Sequence, residues 1–421
     1  MSMRIEVPRA VCEMVERLER AGFETWTVGG AVRDAVRGSP GEREDWDLAT
    51  RAHPRQVRRL FDRTVPLGVE YGTVGVFGSD GIMYEVTTFR HDVITYGRKA
   101  VVAFADSLQD DLARRDFTVN AMAWHPGEHM LCDPHGGRND LEKGVLRAVG
   151  IPSERFREDY LRVLRGLRFA GTLGLEVEPE TWAGMIEAAP GISNLSVERI
   201  REELMKVLAG PRPSRALDLY RRCGAMEHVF PEIGRPFADD ALAAVDAVQR
   251  RDPTARLTML LLHGLGVAAP LPVVSGLLVR LRFSNDEVER IRSTFSGGIG
   301  PLEGVADDAA ARRRWMAQTG QAALRHVFLV WRAAALVGAG REAAVERAIA
   351  AIERDVDQAV PLAIQELALA GRDLVALGWR PGPDIGRALR RLLEAVWEDA
   401  VPNDRERLIG MAERMGPTGG T

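Results

Sequence analysis

The chain of 421 residues is 46% hydrophobic and 28% charged, which allows two or three folded domains of about 150 residues and excludes a small module or a disordered polymer. With a formal net charge of −4, average charge cannot draw a polyanion to the chain, so any nucleic-acid surface must be local. Three cysteines, Cys12, Cys132 and Cys223, lack the paired spacing of a disulfide framework or a zinc site and suit a reducing cytoplasm.

The opening MSMRIEVPRAV lacks the basic start and apolar run of an export signal, and a helix is expected over 8–20. ETWTVGG reads as a strand, followed by a helix over 31–37 and another over 54–61. YGTVGVFG, IMYEVTTFR and LCDP read as further strands, with a helix expected over 114–122. Near residue 150 the texture changes from short alternating segments with glycine turns to long stretches of helical spacing. Helices are expected over 156–173, 179–188, 196–208 and 213–223 and onward to the end, with breaks at Pro231, Pro253 and Pro301. The fold class is therefore α+β, a small mixed sheet with helices followed by an all-α remainder. Leu257–Val279 carries no charged residue, but Gly264, Gly266, Pro270 and Pro272 divide it into two short helices, so no membrane span is expected.

Chemistry begins at TVGGAVRDAVRGSPGEREDWDLAT, where Gly29 and Gly30 stand between a strand and a helix carrying Arg33. Such a turn is often only a tight corner, but its main-chain N–H groups can also receive phosphate at close approach. Asp45 and Asp47 flank Trp46, and the two-residue period of a strand puts both carboxylates on one face; Glu85, on the next alternating segment, supplies a third. A solvated strand edge would read the same way. Hard oxygen ligands without histidine or cysteine suit Mg2+, and a two-metal nucleotidyl transfer site requires this set.

In this order the motifs resemble the class II tRNA nucleotidyltransferases, the family of CCA-adding enzymes and bacterial poly(A) polymerases. The resemblance covers GGAVRD, EDWDLAT, YEVTTFR, RRDFTVNAMA, DPHGGRNDLEKGVLRAVG and REDYLRVLRGLRFA, and continues in SVERIREEL and in 379–409. It implies a catalytic nucleotidyltransferase head over 1–150, a helical nucleotide-selecting neck over 151–210, and a helical body and tail over 211–421 that binds tRNA. It further implies that Asp45, Asp47 and Glu85 are catalytic, the two aspartates being the Mg2+ ligands. Arg115, Asp116 and Asn120 would contact ribose and triphosphate.

Asp159 and Arg162, braced by Glu158, stand one helical turn apart. A carboxylate that accepts beside a guanidinium that donates fits the amino group and ring nitrogen of cytosine and of adenine, but not uracil or guanine. Arg165 and Arg168 continue the stripe toward phosphate or solvent. The expected activity is addition of CMP and AMP from CTP and ATP to the 3′ end and acceptor stem of tRNA, without a nucleic-acid template. TVPLGVEYGTVGVF resembles CCA-adding enzymes more than poly(A) polymerases. Residues 91–113 depart from the family: Tyr96, Gly97, Arg98, Lys99 and Ala100 replace an acidic-glycine-arginine-basic-proline pattern in a loop linked to the switch from C to A, so CC-only or A-only addition is the alternative. LLLHGLG, similar to a phosphohydrolase signature, has Gly264 where the carboxylate would stand, which argues against hydrolysis. Arg312, Arg313, Arg314 and the PGPDIG turn are candidates for tRNA phosphates or plain surface. A non-catalytic RNA-binding protein would have lost a carboxylate, and none is lost.

Overall fold

The computed structural model of the protein describes residues 5–38, 45–68, 72–96, 99–234, 237–297, 305–338 and 341–416. The chain divides into two compact units, 1–207 with 215–231, and 208–214 with 232–421.

In the first unit, a seven-stranded sheet is built from β1 (Thr25–Val28), β2 (Asp47–Thr50), β3 (Thr64–Pro66), β4 (Thr73–Phe77), β5 (Met83–Thr88), β8 (Ala123–His125) and β9 (Met130–Cys132), in the order β3-β4-β5-β2-β1-β8-β9. β2 runs parallel to β5 and antiparallel to β1. Alternation assigns each strand's side chains to two cores. Trp46, Leu48, Val74, Val76 and Val86 join the core containing α1 (Arg9–Arg20) and α3 (Pro54–Leu60). Trp26, Val28 and Ala49 join the other core with Leu108 and Leu112 of α4 (Leu108–Ala113). α2 (Gly30–Val36) follows β1.

Three local expectations are corrected. The segment read as a helix over 114–122 is a tight turn over Thr118–Asn120, because Thr118 is tied by its N–H to the Arg147 carbonyl (2.9 Å) and by its hydroxyl to Asp140 (2.7 Å). Residues 91–113, expected to hold a loop, include instead the antiparallel pair β6 (Arg90–Tyr96) and β7 (Lys99–Phe104), followed by α4; Gly97 and Arg98 lie outside the described residues. The helix expected over 156–173 is two helices, α6 (Pro152–Glu158) and α7 (Leu161–Leu173). Asp159 between them is extended (φ −153°, ψ 106°), and its carboxylate accepts from the Leu161 N–H at 3.1 Å.

After α5 (Gly137–Lys143) and a short parallel pair, β10 (Val145–Leu146) with β11 (Glu176–Val177), the unit is helical. α8 (Pro179–Ala188), α9 (Val197–Ala209), α10 (Pro213–Cys223) and α11 (Ala225–Val229) follow α7.

In the second unit, the uncharged stretch forms parts of two helices, Pro253–Leu265 and Leu271–Arg280, as its glycines and prolines predict. Among the described residues no helix is long and apolar enough to cross a membrane. Pro253 opens a helix, while Pro301 lies outside the described residues. The PGPDIG turn leads the helix Pro383–Trp397 as expected. Arg312 and Arg313 are not phosphate-facing: both are buried, and Asp355 accepts from them at 2.7 Å and 3.3 Å. Arg313 also donates to the Val396 and Trp397 carbonyls at 3.1 Å and 2.9 Å, which occupies a guanidinium that burial would otherwise leave unpaired. Arg314 is exposed.

Candidate active site

Strand register brings the head carboxylates together. Val28 pairs with Asp47, and Leu48 pairs with Val86, so one step back along the parallel strands Asp47 stands beside Glu85. Asp47 and Glu85 have the parity of Ala49 and Thr87 and thus point to the face that α4 covers. Trp46 enters the opposite core, leaving Asp45 and Asp47 on the same side; Asp45 is exposed and precedes β2. Burial and the charge of Glu85 push the Asp47 carboxyl up to about 6, Arg115 opposing and Asp45 adding to the rise.

Asp47 is therefore a carboxylate whose burial and neighbouring Glu85 outweigh the counter-charge of Arg115, which favours a further cation. The donors available are hard oxygens, which suits a small divalent ion. Among the described residues, however, no three histidine, cysteine or acidic side chains are already gathered as a metal-holding group. The sequence places three acids within electrostatic reach, and the structure does not close them into a cage.

Gly29 makes the approach possible. Its φ of 85° is a left-handed conformation, and a Cβ there would come within 3.1 Å of Asp47 Oδ2 and 3.9 Å of Arg115 Nη1. Gly30 begins α2, which presents Arg33.

A connected polar chain continues from there. Arg33 donates to Asn120 Oδ1 (2.8 Å), Asn120 Nδ2 to Asp116 Oδ1 (3.1 Å), and Arg165 Nε to Asp116 Oδ2 (2.7 Å). Burial opposes ionisation of Asp116, but Arg165, Asn120 and the Phe117 N–H outweigh it and hold its carboxyl below the usual range. Arg115 donates to the Asn120 carbonyl and to Asp111, each at 3.2 Å. Glu158 pairs with both Arg162 and Arg155, and Arg162 also donates to the carbonyls of Arg155 (3.0 Å) and Arg114 (3.2 Å). The brace expected between Glu158 and Arg162 is present. Asp159 accepts from Arg199 of α9 at 2.6 Å, and Arg168 donates to the buried Glu203 at 2.7 Å.

One cleft of about 580 Å³ is lined by Gly29, Gly30, Arg33, Asp47, Glu85, Arg115, Asp116, Asn120, Asp159, Arg162 and Arg165. Asp45, Glu158 and Arg168 are not among its lining residues. Sequence reasoning missed Asp111, Arg114, Arg199 and Phe169, which also line it. Asp111 is three and four residues before Arg114 and Arg115, a helical spacing that could have flagged it. Phe169 carries three guanidinium groups, those of Arg33 and Arg165 at 5.3 Å and Arg168 at 4.3 Å from its ring centroid.

An acidic pair facing a glycine turn, with arginines along the opposite wall, is the arrangement of a nucleotidyltransferase head, and residues 25–147 match the Poly A polymerase head domain family. Residues 174–235 match a polymerase A segment described as an RNA- and SrmB-binding site, and residues 274–412 match tRNA nucleotidyltransferase domain 2. The chain is 34% identical to the CCA-adding enzyme of Limosilactobacillus fermentum across 98% of its own length and 99% of the relative's. It is 34% identical to the CCA-adding enzyme of Lacticaseibacillus paracasei across 97% and 96%. The Bacillus stearothermophilus CCA-adding enzyme solved in complex with CTP superposes with a TM-score of 0.81 at 30% identity, covering 97% of each chain. The protein belongs to the CCA-adding enzyme family.

Proposed function

We infer that the protein adds CMP and AMP, from CTP and ATP, to the 3′ end of tRNA with release of pyrophosphate. The observation that carries this reading is the single cleft lined by Asp47, Glu85 and the Gly29–Gly30 turn together with Asp159, at the break between α6 and α7, and Arg162 of α7. The terminal hydroxyl attacks the α-phosphate in line, and the cleft residues hold the reactants in that alignment. Asp45 and Asp47 would hold Mg2+, with Glu85 completing the acidic side, and the bound ion would supply charge neutralisation at the reacting phosphate. The main-chain N–H groups of the glycine turn, with Arg33 and Arg115, receive the triphosphate. Asp116 and Asn120 hold Arg165 and Arg33 in place and meet the ribose.

Asp159 and Arg162 read the base edge. A buried mismatch against uracil or guanine costs about 1–3 kcal/mol for each unpaired group. Residues 1–150 carry the transfer, 151–210 the selection, and 211–421 grip the tRNA, in the cytoplasm. The test is incubation with tRNA lacking its 3′ end and each labelled nucleotide separately and together. CTP and ATP together giving a full CCA end supports the reading; CC-only or A-only products replace it with the narrower activity suggested by residues 91–113, and no incorporation from any nucleotide overturns it.

A further inference from the structure

The sheet that carries the cleft has a second charged region at its other end. β2 runs from Asp47 to Thr50, about 10 Å at 3.3 Å per residue, and passes into Arg51 and α3. Residues 51–63, RAHPRQVRRLFDR, hold five arginines against Asp62, a local charge of +4 in a chain whose net charge is −4. Pro54, Val57 and Phe61 anchor the segment in the core, and the exposed Arg55, Arg58 and Arg59 share the outward face of α3 at helical spacing. Exposed Arg17 of α1 lies 5.0 Å over the Phe61 ring, and exposed Arg63 lies 4.6 Å over the Phe77 ring, so both are held at the margin of that face.

Ion pairing separates these arginines from their neighbours. Arg9 and Arg20 of α1 pair with Glu13 at 2.8 Å and Glu16 at 2.7 Å. The cleft arginines are also paired, Arg33 with Asp34, Arg162 with Glu158 and Arg165 with Asp116. Among the described residues, Arg17, Arg51, Arg55, Arg58, Arg59 and Arg63 form no ion pair. Six exposed guanidinium groups without carboxylate partners repel one another, and a polyanion laid across them relieves that repulsion. Exposed guanidinium groups spaced along a helix face suit the successive phosphates of an extended backbone better than a single free nucleotide.

We propose that the arginine face of residues 51–63, at the far end of β2 from the cleft, is a docking surface for the phosphate backbone of the RNA substrate. The proposal rests on the RNA-directed activity inferred above. Contacts to phosphate position the RNA without reading its sequence, so this face contributes affinity and salt dependence but no base selection.

The test compares the full chain with the triple variant Arg55→Gln, Arg58→Gln, Arg59→Gln, using tRNA lacking its 3′ end across a series of KCl concentrations. The expected result is a KM for tRNA raised about tenfold, a log–log salt slope of tRNA binding shallower by about 2–3, and unchanged kcat and KM for CTP. The matching lysine triple keeps the slope close to that of the unaltered protein, and thermal melting of both variants confirms that they fold. A glutamine triple with unchanged tRNA affinity and salt slope overturns the proposal. Direct tRNA binding is measured in parallel, so that a protein which binds RNA through this face but transfers no nucleotide contradicts the activity while leaving the surface standing.

Discussion

Arginine is used in opposite ways in the two units. In the second unit, Arg312 and Arg313 are buried, paired to Asp355 and saturated by main-chain carbonyls, so they can do nothing but hold helices together. In the first, Arg33, Arg115, Arg162 and Arg165 are paired just as closely, yet each also lines an open cleft. Pairing in the cleft orients a guanidinium that still has a face toward solvent, whereas pairing in the second unit consumes it. What distinguishes a binding arginine from a structural one is the void beside it.

The acidic side of the cleft gives the largest expected effect. Asp47→Asn lowers nucleotide addition by about a thousandfold or more, equivalent to about 4 kcal/mol of transition-state stabilisation. Because the Asp47 carboxyl is raised to about 6, its ionisation in the metal-free protein opposes folding, and that penalty develops as the pH rises from 3.8 through 6. The same substitution should therefore raise the melting temperature above pH 6 while abolishing activity. A variant that loses both together would mean that Asp47 is structural.

Asp355→Ala tests the other half of the contrast. Removing the shared partner of two buried guanidinium groups should cost about 3–5 kcal/mol in denaturant unfolding and leave kcat per folded molecule unchanged. A fall in kcat without loss of stability would place those arginines in the functional class.

A pH effect belongs to the second unit as well. Burial pushes His326 down to about 4, and its ring contacts the Thr258 hydroxyl at 2.8 Å. A base with a depressed folded pKa contributes its full stability above 6.5 and loses it as the pH falls toward 4, here up to about 3 kcal/mol. Urea unfolding between pH 7 and 4 should show this loss, and His326→Gln should flatten it.

The smallest expected effect concerns Phe169. Phe169→Leu removes the ring beneath three guanidinium groups and should raise KM for CTP about fivefold with kcat unchanged, from about 1 kcal/mol of lost cation–π attraction. Phe169→Tyr should restore KM. Equal losses in kcat would move the ring's role into the chemical step.

Much of this site was legible because its parts are local. Gly29–Gly30 lies between strand and helix, and Asp47 and Glu85 follow from strand alternation, whereas Asp45 precedes β2 and does not line the cleft. What was not legible depends on partners distant in sequence. The break at Asp159 has no proline or glycine to announce it; it is accompanied by contacts to Leu161 and to Arg199, forty residues away. The turn at Thr118 is fixed by Asp140 and Arg147, and the apparent basic block at Arg312–Arg314 is neutralised in part by Asp355. Helical spacing alone cannot report such contacts, because the same pattern serves a solvated face, a buried clamp or a cleft wall.

Direct titration of Mn2+, as a paramagnetic stand-in for Mg2+, into the unaltered protein, Asp47→Asn and Glu85→Gln tests the central claim without requiring turnover. The account predicts saturable binding by the unaltered protein that weakens below pH about 6, as Asp47 takes up a proton, and binding at least tenfold weaker in either variant. Equal Mn2+ affinity in all three proteins would contradict it.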